Sequence, residues 1–191
     1  MPRAVQVKHA VALGDNILEM SDNVALQLEL IRTLGAFDVP EATAGLRLAS
    51  ESDIPEVRIA ACRAWALQSS PERVGILLER VVGETDKDVR IAAMRSLGGC
   101  QSVEDQTRIR ESLQDVLDDE DPAVQYAATE SLEASSGLDL NGNIRLWKRF
   151  LAGELNEKQA MENAASVRDS YFQQLIKSGI TIGDVMPWNW F

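Results

Sequence analysis

Apolar residues return at every third or fourth position in four stretches of the chain, and the stretches align. With Leu26, Val57, Val89 and Val124 set in one column, the residues that follow read LQLELIRTLGA, VRIAACRAWAL, VRIAAMRSLGG and VQYAATESLEA. The column recurs at intervals of 31, 32 and 35 residues. Val57, Ala60, Ala61, Ala64 and Trp65 fall on one face of an α-helix, as do Val89, Ala92, Ala93, Ser96 and Leu97. The small pairs Ala60/Ala61, Ala92/Ala93 and Ala127/Ala128 let a neighbouring helix approach near the short end of the usual interaxial range, roughly 8–10 Å. Four copies in register predict a stack of like units.

Between these stretches lie second amphipathic segments, Pro40 to Glu51, Pro71 to Glu84 and Val103 to Asp119. The middle one is clearest: Val74, Leu77, Leu78, Val81 and Val82 share a side, with Glu79 and Arg80 expected outside. Each repeat therefore reads as a helical hairpin. Asp22, Asp53, Asp86 and Asp121 stand where N-caps belong, Pro122 marks a helix start, and Gly35 and Gly98 stand where helices stop. Pro2 to Leu13 with Asn16 to Met20 reads either as half of a capping hairpin or as a degenerate copy, because Leu13-Gly14 mimics Leu34-Gly35.

The phrase D-x-x-V-R-x-A-A-x-x-x-L-G, from Asp86 to Gly98, resembles the HEAT repeat, particularly the bacterial phycobilisome-lyase-like variety. The resemblance covers residues 1 to about 137. It implies an all-α fold, an α-α superhelix of the HEAT/armadillo type, whose inner helices offer a curved surface to another protein. Function is less determined, because repeats of this kind are shared by binding proteins and by a few enzymes. Gln125 and Glu130 replace the arginines of the middle copies, and Gln27 the first of them in the earliest, so a uniform basic ladder is not expected.

After Gly137 the period stops. Asn141-Gly142-Asn143 is turn chemistry, and Ile144, Trp147, Phe150 and Leu151 then share a helical face opposite Arg145, Lys148 and Arg149. This helix is expected to cap the last hairpin. Glu157 to Lys177 reads as a longer helix with Ala160, Ala164, Val167, Tyr171, Leu175 and Ile176 as its stripe. The expected organisation is a repeat array over 1–137, capping helices over 138–177 and an aromatic tail over 178–191. Seven of ten aromatics lie from Trp147 onward, with Trp188, Trp190 and Phe191 in the last four residues. The tail either folds back over the open end of the stack or serves as an anchor for a partner.

Composition narrows the chemistry. The net charge of −11 repels the phosphate backbone, so no nucleic-acid partner is expected. No segment reaches the roughly 20 apolar residues of a membrane helix, and the first residues lack the apolar block of a signal peptide, so a cytoplasmic protein is expected. Cys62 and Cys100 lack metal-site or disulfide-framework spacing and read as buried thiols. His9 is the sole histidine, and no nucleophile elbow, zinc motif or phosphate loop accompanies it. Two activities known among relatives are excluded: a di-iron hydroxylase needs several His-Glu pairs, and a DNA glycosylase needs a basic groove. The acidic run from Asp115 to Pro122 lacks the spacing of a calcium loop and reads as capping. No catalytic residue, metal or cofactor is expected.

What remains is a binding surface. Arg58 and Arg90 repeat, as do Arg32, Arg63 and Arg95. The second set predicts a positive stripe across three repeats that could grip carboxylates of an extended or acidic protein segment. Alternatively, the guanidiniums pair with acids of adjacent repeats, such as Glu56 or Asp88, and fix the stacking. The candidate partner-binding residues are thus Arg32, Arg58, Arg63, Arg90, Arg95, Trp188, Trp190 and Phe191. The function expected is a non-catalytic scaffold or adaptor; the alternative is a bilin lyase or chaperone-like relative.

Overall fold

The structure, a computed structural model, describes residues 2–19, 23–100 and 102–178. Ten helices form there and no strand is present among the described residues: α1 (Arg3–Glu19), α2 (Val24–Gly35), α3 (Pro40–Ser50), α4 (Pro55–Trp65), α5 (Arg73–Gly83), α6 (Lys87–Leu97), α7 (Val103–Gln114), α8 (Pro122–Ser136), α9 (Ile144–Leu151) and α10 (Glu157–Lys177). A 3-10 turn, Asp115–Asp118, extends α7. The chain divides into two compact units, residues 1–137 and 138–191.

The first unit contains four helical hairpins in two layers. Helices α2, α4, α6 and α8 pack each on the next, while α1 lies on α3 and α5 on α7 in the other layer. Residues 3–19 form one continuous helix through Gly14, which makes the N-terminal segment the first half of a full hairpin with α2. Gly14 does not break that helix because its use is contact: a Cβ on Gly45 of α3 would lie 3.0 Å from the Gly14 Cα.

Two columns of the repeat are buried in all four copies: Ile31, Cys62, Met94 and Thr129, then Leu34, Trp65, Leu97 and Leu132. The Trp65 indole is fully enclosed and donates to Ser50 Oγ at 3.1 Å. A side chain of that size removes roughly 200 Å² from water, on the order of 5 kcal/mol. The first column holds for Val57, Val89 and Val124, whereas Leu26 is 39% exposed. In α2 it is Gln27 that turns inward, and its amide bonds Ile17 of the paired helix. Val82 is also exposed, and Arg80 is drawn in instead because it pairs with Glu51 of the preceding repeat.

Helix ends follow local chemistry. Asp86 and Asp121 cap α6 and α8, the first accepting from the Asp88 and Val89 amides and the second from the Ala123 amide. Asp53 does not cap α4; Ile54 holds that position, and Pro55 starts the helix with its fixed φ and missing N–H. Asn23 caps α2, and Asp22 lies outside the described residues. Gly35 and Gly98 do end helices, yet not through left-handed backbone, since Gly98 has φ −58°. They are glycines because the stack is tight: a Cβ on Gly35 would lie 2.8 Å from the Ala64 Cβ, and one on Gly98 2.8 Å from the Ala134 Cβ. Gly137, at φ 73°, is the left-handed stop, closing α8.

In the second unit, Asn141 and Gly142 take positive φ and Asn143 caps α9. Trp147 is buried and meets Phe150 edge-on at 5.8 Å. Helix α10 packs on α9 through Ala160 and Ala164, but Val167 and Tyr171 are more than half exposed. Among the described side chains of the stripe, cover is therefore complete at Ala160 and Ala164 and partial at Val167 and Tyr171. The lengths explain it: eight residues of α9 span ~12 Å, against ~31 Å for the 21 of α10. The side chains of Leu175 and Ile176, and the tail residues Trp188, Trp190 and Phe191, lie outside the described part.

The tight crossings give a direct test. Gly35→Ala and Gly98→Ala each force apart a helix pair and should cost about 1–2 kcal/mol in urea unfolding. Gly83→Ala, with nothing within 4 Å of the added methyl, should leave stability unchanged or slightly raised.

Candidate functional site

The two arginine sets of the repeat have different fates. The position after the first column is Gln27, Arg58, Arg90 and Gln125, and each donates to a backbone carbonyl at the end of its own hairpin's first arm: Ile17 at 2.8 Å, Ser52 at 2.8 Å, Val81 at 3.1 Å and Asp119 at 2.7 Å. These are carbonyls that a helix end or turn leaves without a partner. The arginines then reach one repeat further. Arg58 grips both carboxylate oxygens of Glu84, at 2.7 and 2.9 Å, and Arg90 meets Asp119 at 2.9 Å. The acids of the ladder are Glu84 and Asp119, rather than Glu56 or Asp88. Each sits two residues before a helix cap and accepts a turn amide, Asp86 for Glu84 and Asp121 for Asp119.

The Arg58–Glu84 pair is nearly sealed, with 13% and 5% of the side chains exposed. The Arg58 hydrogen bond holds the Glu84 carboxyl below its ordinary range. Asp119 is likewise lowered, first by the Asp121 amide and then by Arg90. Arg58 and Arg90 are thus committed to the stacking of repeats.

Arg32, Arg63 and Arg95 project from the opposite side of α2, α4 and α6, and all three are exposed. Arg32 pairs with Glu29 of its own helix at 2.8 Å, and Arg95 with Glu130 of α8 at 3.1 Å. Such pairs in water contribute at most ~1 kcal/mol and open readily. Arg63 has no acidic partner among the described residues.

Two adjoining grooves run between these helices. The α2/α4 groove, of about 440 Å³, has Leu28, Ile59, Ala60, Ala64 and Leu67 as apolar lining, with Arg32, Arg63, Glu29 and Glu56 as its charged groups. The α4/α6 groove, of about 520 Å³, is lined by Ile59, Ala66, Ile91, Ala92 and Ser96, with Arg63, Arg95 and Asp88. Ile59 and Arg63 line both. Small side chains that let helices nest thereby also leave furrows, because a methyl fills less of the crevice than a leucine would. The repeat located the arginines but not the furrows, which lie where Ala60, only half-buried, and Ile59 edge the contact between helices.

The other residues singled out in the sequence occupy surface or structural positions. His9 is exposed and stacks its ring 6.5 Å from Phe37. Cys62 and Cys100 are buried and unbridged, and burial pushes the Cys62 thiol up to about 11. Asp119 and Asp121 of the acidic run serve the turn and the α8 cap. No cluster of three or more metal-binding side chains occurs among the described residues, nor any helix long and apolar enough to cross a membrane.

Removing one partner of the sealed pair, by Arg58→Met, should cost about 3 kcal/mol, since it leaves the Glu84 charge uncompensated. Because the folded pKa of Glu84 is lowered, its contribution is complete above the ordinary carboxylate pKa, ~4.3, and is lost as pH falls through the folded value. Glu84→Gln should therefore be less stable at pH 7 and show a shallower loss on acidification, in unfolding curves from pH 7 to 2.5. Both thiols should ignore a disulfide reagent in the native protein at pH 8 and react fully in guanidinium.

Among curated proteins, none matches the chain. The profile of the family described as HEAT repeats matches residues 13–98 and 74–140. Those regions, which overlap, include α2 to α8 and the whole ladder, and with well over half of its length matched the chain belongs to the HEAT repeat family.

Proposed function

We propose that this protein is a non-catalytic scaffold or adaptor that works in the cytoplasm and binds another protein through the curved inner-helix surface of the array, on the solvent-facing side of α2, α4 and α6. HEAT repeats commonly mediate protein–protein interaction. The observation that carries the reading is the division of labour between the arginine sets: one is consumed in the ladder, while the other stands exposed beside two furrows, the first mainly apolar and the second mixed. An extended or acidic segment of a partner meets apolar surface and guanidinium together there, and binding spread over successive repeats suits a scaffold. Two free, buried thiols agree with a reducing compartment. The aromatic tail, with Trp188, Trp190 and Phe191, is a second contact in this reading, an anchor of the kind that dominates interfaces.

The D-x-x-V-R-x-A-A-x-x-x-L-G phrase supports a second reading, kinship with the phycobilisome-lyase-like variety as a bilin lyase or chaperone-like protein. A visible absorbance change on mixing with a linear tetrapyrrole would favour it.

The scaffold reading is tested by affinity capture from native lysate with the intact protein, an Arg63→Gln/Arg95→Gln variant and a variant lacking residues 178–191. The double variant should keep its melting temperature within about 2 °C, since exposed charges contribute little to stability, and lose captured proteins. Unchanged capture by it would sink the reading. Reduced capture without the tail, at unchanged stability, is the result expected of an anchor.

A further inference from the structure

The paired furrows also specify the shape of what lies in them, and the inference that follows rests on the reading just given. The geometry points to a ligand segment in the polyproline-II conformation, with apolar side chains at positions i and i+3, one in each furrow, and one carboxylate between them that pairs with Arg63.

The spacing comes first. The furrows flank a single helix, so their centres are one interhelical distance apart, roughly 8–10 Å. The Gly35–Ala64 crossing holds α2 and α4 toward the short end of that range. A segment crossing the helices must therefore place two side chains about 9 Å apart on the same side. A β-strand does not: residues i and i+2 share a face at ~6.7 Å, i and i+4 at ~13 Å, and i+3 points away. Polyproline II repeats every three residues with a rise of 3.1 Å, which puts i and i+3 on one side at ~9.3 Å. Its backbone is fully hydrated and needs no partner from the furrows: the α2/α4 lining is mainly apolar, and the α4/α6 lining sets Ile59, Ala66, Ile91 and Ala92 beside Ser96 and three charged side chains.

Charge comes second. Arg63 lines both furrows and so stands on the ridge between them. A residue at i+1 or i+2 passes over that ridge. One carboxylate there gains an arginine that has no acidic partner among the described residues. A run of acids would gain nothing further, because Glu29, Glu56 and Asp88 stand in the same furrows. The site thus selects a single acid bracketed by apolar residues.

Fluorescence anisotropy of the full chain with fluorescein-labelled, proline-flanked peptides tests this. The peptides carry two leucines at i and i+2, i and i+3, or i and i+4, with one aspartate between; a helical peptide with leucines at i and i+7 completes the series. The i,i+3 peptide should bind at least about tenfold tighter than the others. Asparagine for its aspartate, or Arg63→Gln in the protein, should each weaken it about tenfold, a single charge-assisted contact, and together no more than either alone. Arg63→Glu should recover binding to a peptide with lysine for aspartate. Equal binding at other spacings, preference for the helical peptide, or insensitivity to Arg63 would overturn this inference and leave the scaffold reading standing. If no peptide binds, the inference falls; if the Arg63→Gln/Arg95→Gln variant then also captures every protein the intact chain does, the scaffold reading falls with it.

Discussion

The reach of one side chain across the gap inside each hairpin, from the second helix to a carbonyl closing the first arm, is the interaction on which the repeat array turns. Helix ends leave carbonyls that water satisfies at a surface but cannot reach in a tight stack. Gln27, Arg58, Arg90 and Gln125 supply the donor four times over. Glutamine suffices for that single bond. Arginine appears where a second bond is needed, because the following repeat presents a carboxylate, Glu84 or Asp119, at the turn before its cap. After Gln27 the corresponding residue of the next repeat is Ser52, and after Gln125 no further hairpin follows in the array. Charge is introduced in this column only where it is matched.

Further donors close the remaining gaps. Gln68, in the turn after α4, donates to the Gly35 carbonyl at the end of α2, and Gln106 of α7 donates to Ser135 near the end of α8, both at 2.9 Å. Asp38 accepts the Ser69 amide across the same interval, which lowers its carboxyl. The Gln68 and Asp38 bonds join the first two hairpins through backbone groups as well as apolar contact, and the Gln106 bond ties the two arms of the fourth; such bonds fix an angle where greasy surfaces alone would slide.

Much of this was legible because a repeat compares each position with itself. The aligned copies marked Trp65 and Leu97 as core and the alanine pairs as sites of close approach, and the structure buries every one of them except Ala60, which is half-buried; Leu34 and Leu132, in the same column, are buried with them. The misreadings arose where a residue answers to a neighbour that sequence does not display. Leu26 lost its place to Gln27, and Asp53 ceded the start of α4 to Pro55; Gly35 and Gly98 end helices as read, but what requires glycine there is the close packing of Ala64 and Ala134. Arg58 and Arg63 lie five residues apart in the same helix with similar surroundings in sequence, yet one is sealed against Glu84 and the other meets solvent. The helix face separates them, and the turn of the next repeat supplies the acid that seals only Arg58. The furrows are a property of two helices at once, and so no single copy of the pattern could reveal them.

Matching charge to repeat order has a consequence for how such an array can lengthen. The segment from α5 to α6 carries an acid that receives the preceding arginine and an arginine that seeks the following acid, so tandem duplication of it in a gene would yield a copy with both of its joints already complementary. The first hairpin has Ser21 in the acid's column of the sequence and offers the neutral amide of Gln27, and inserted in mid-array it would strand a guanidinium on one side and a carboxylate on the other. Of the four hairpins, the one from α5 to α6 is thereby the unit whose copy fits, by the chemistry of a single column.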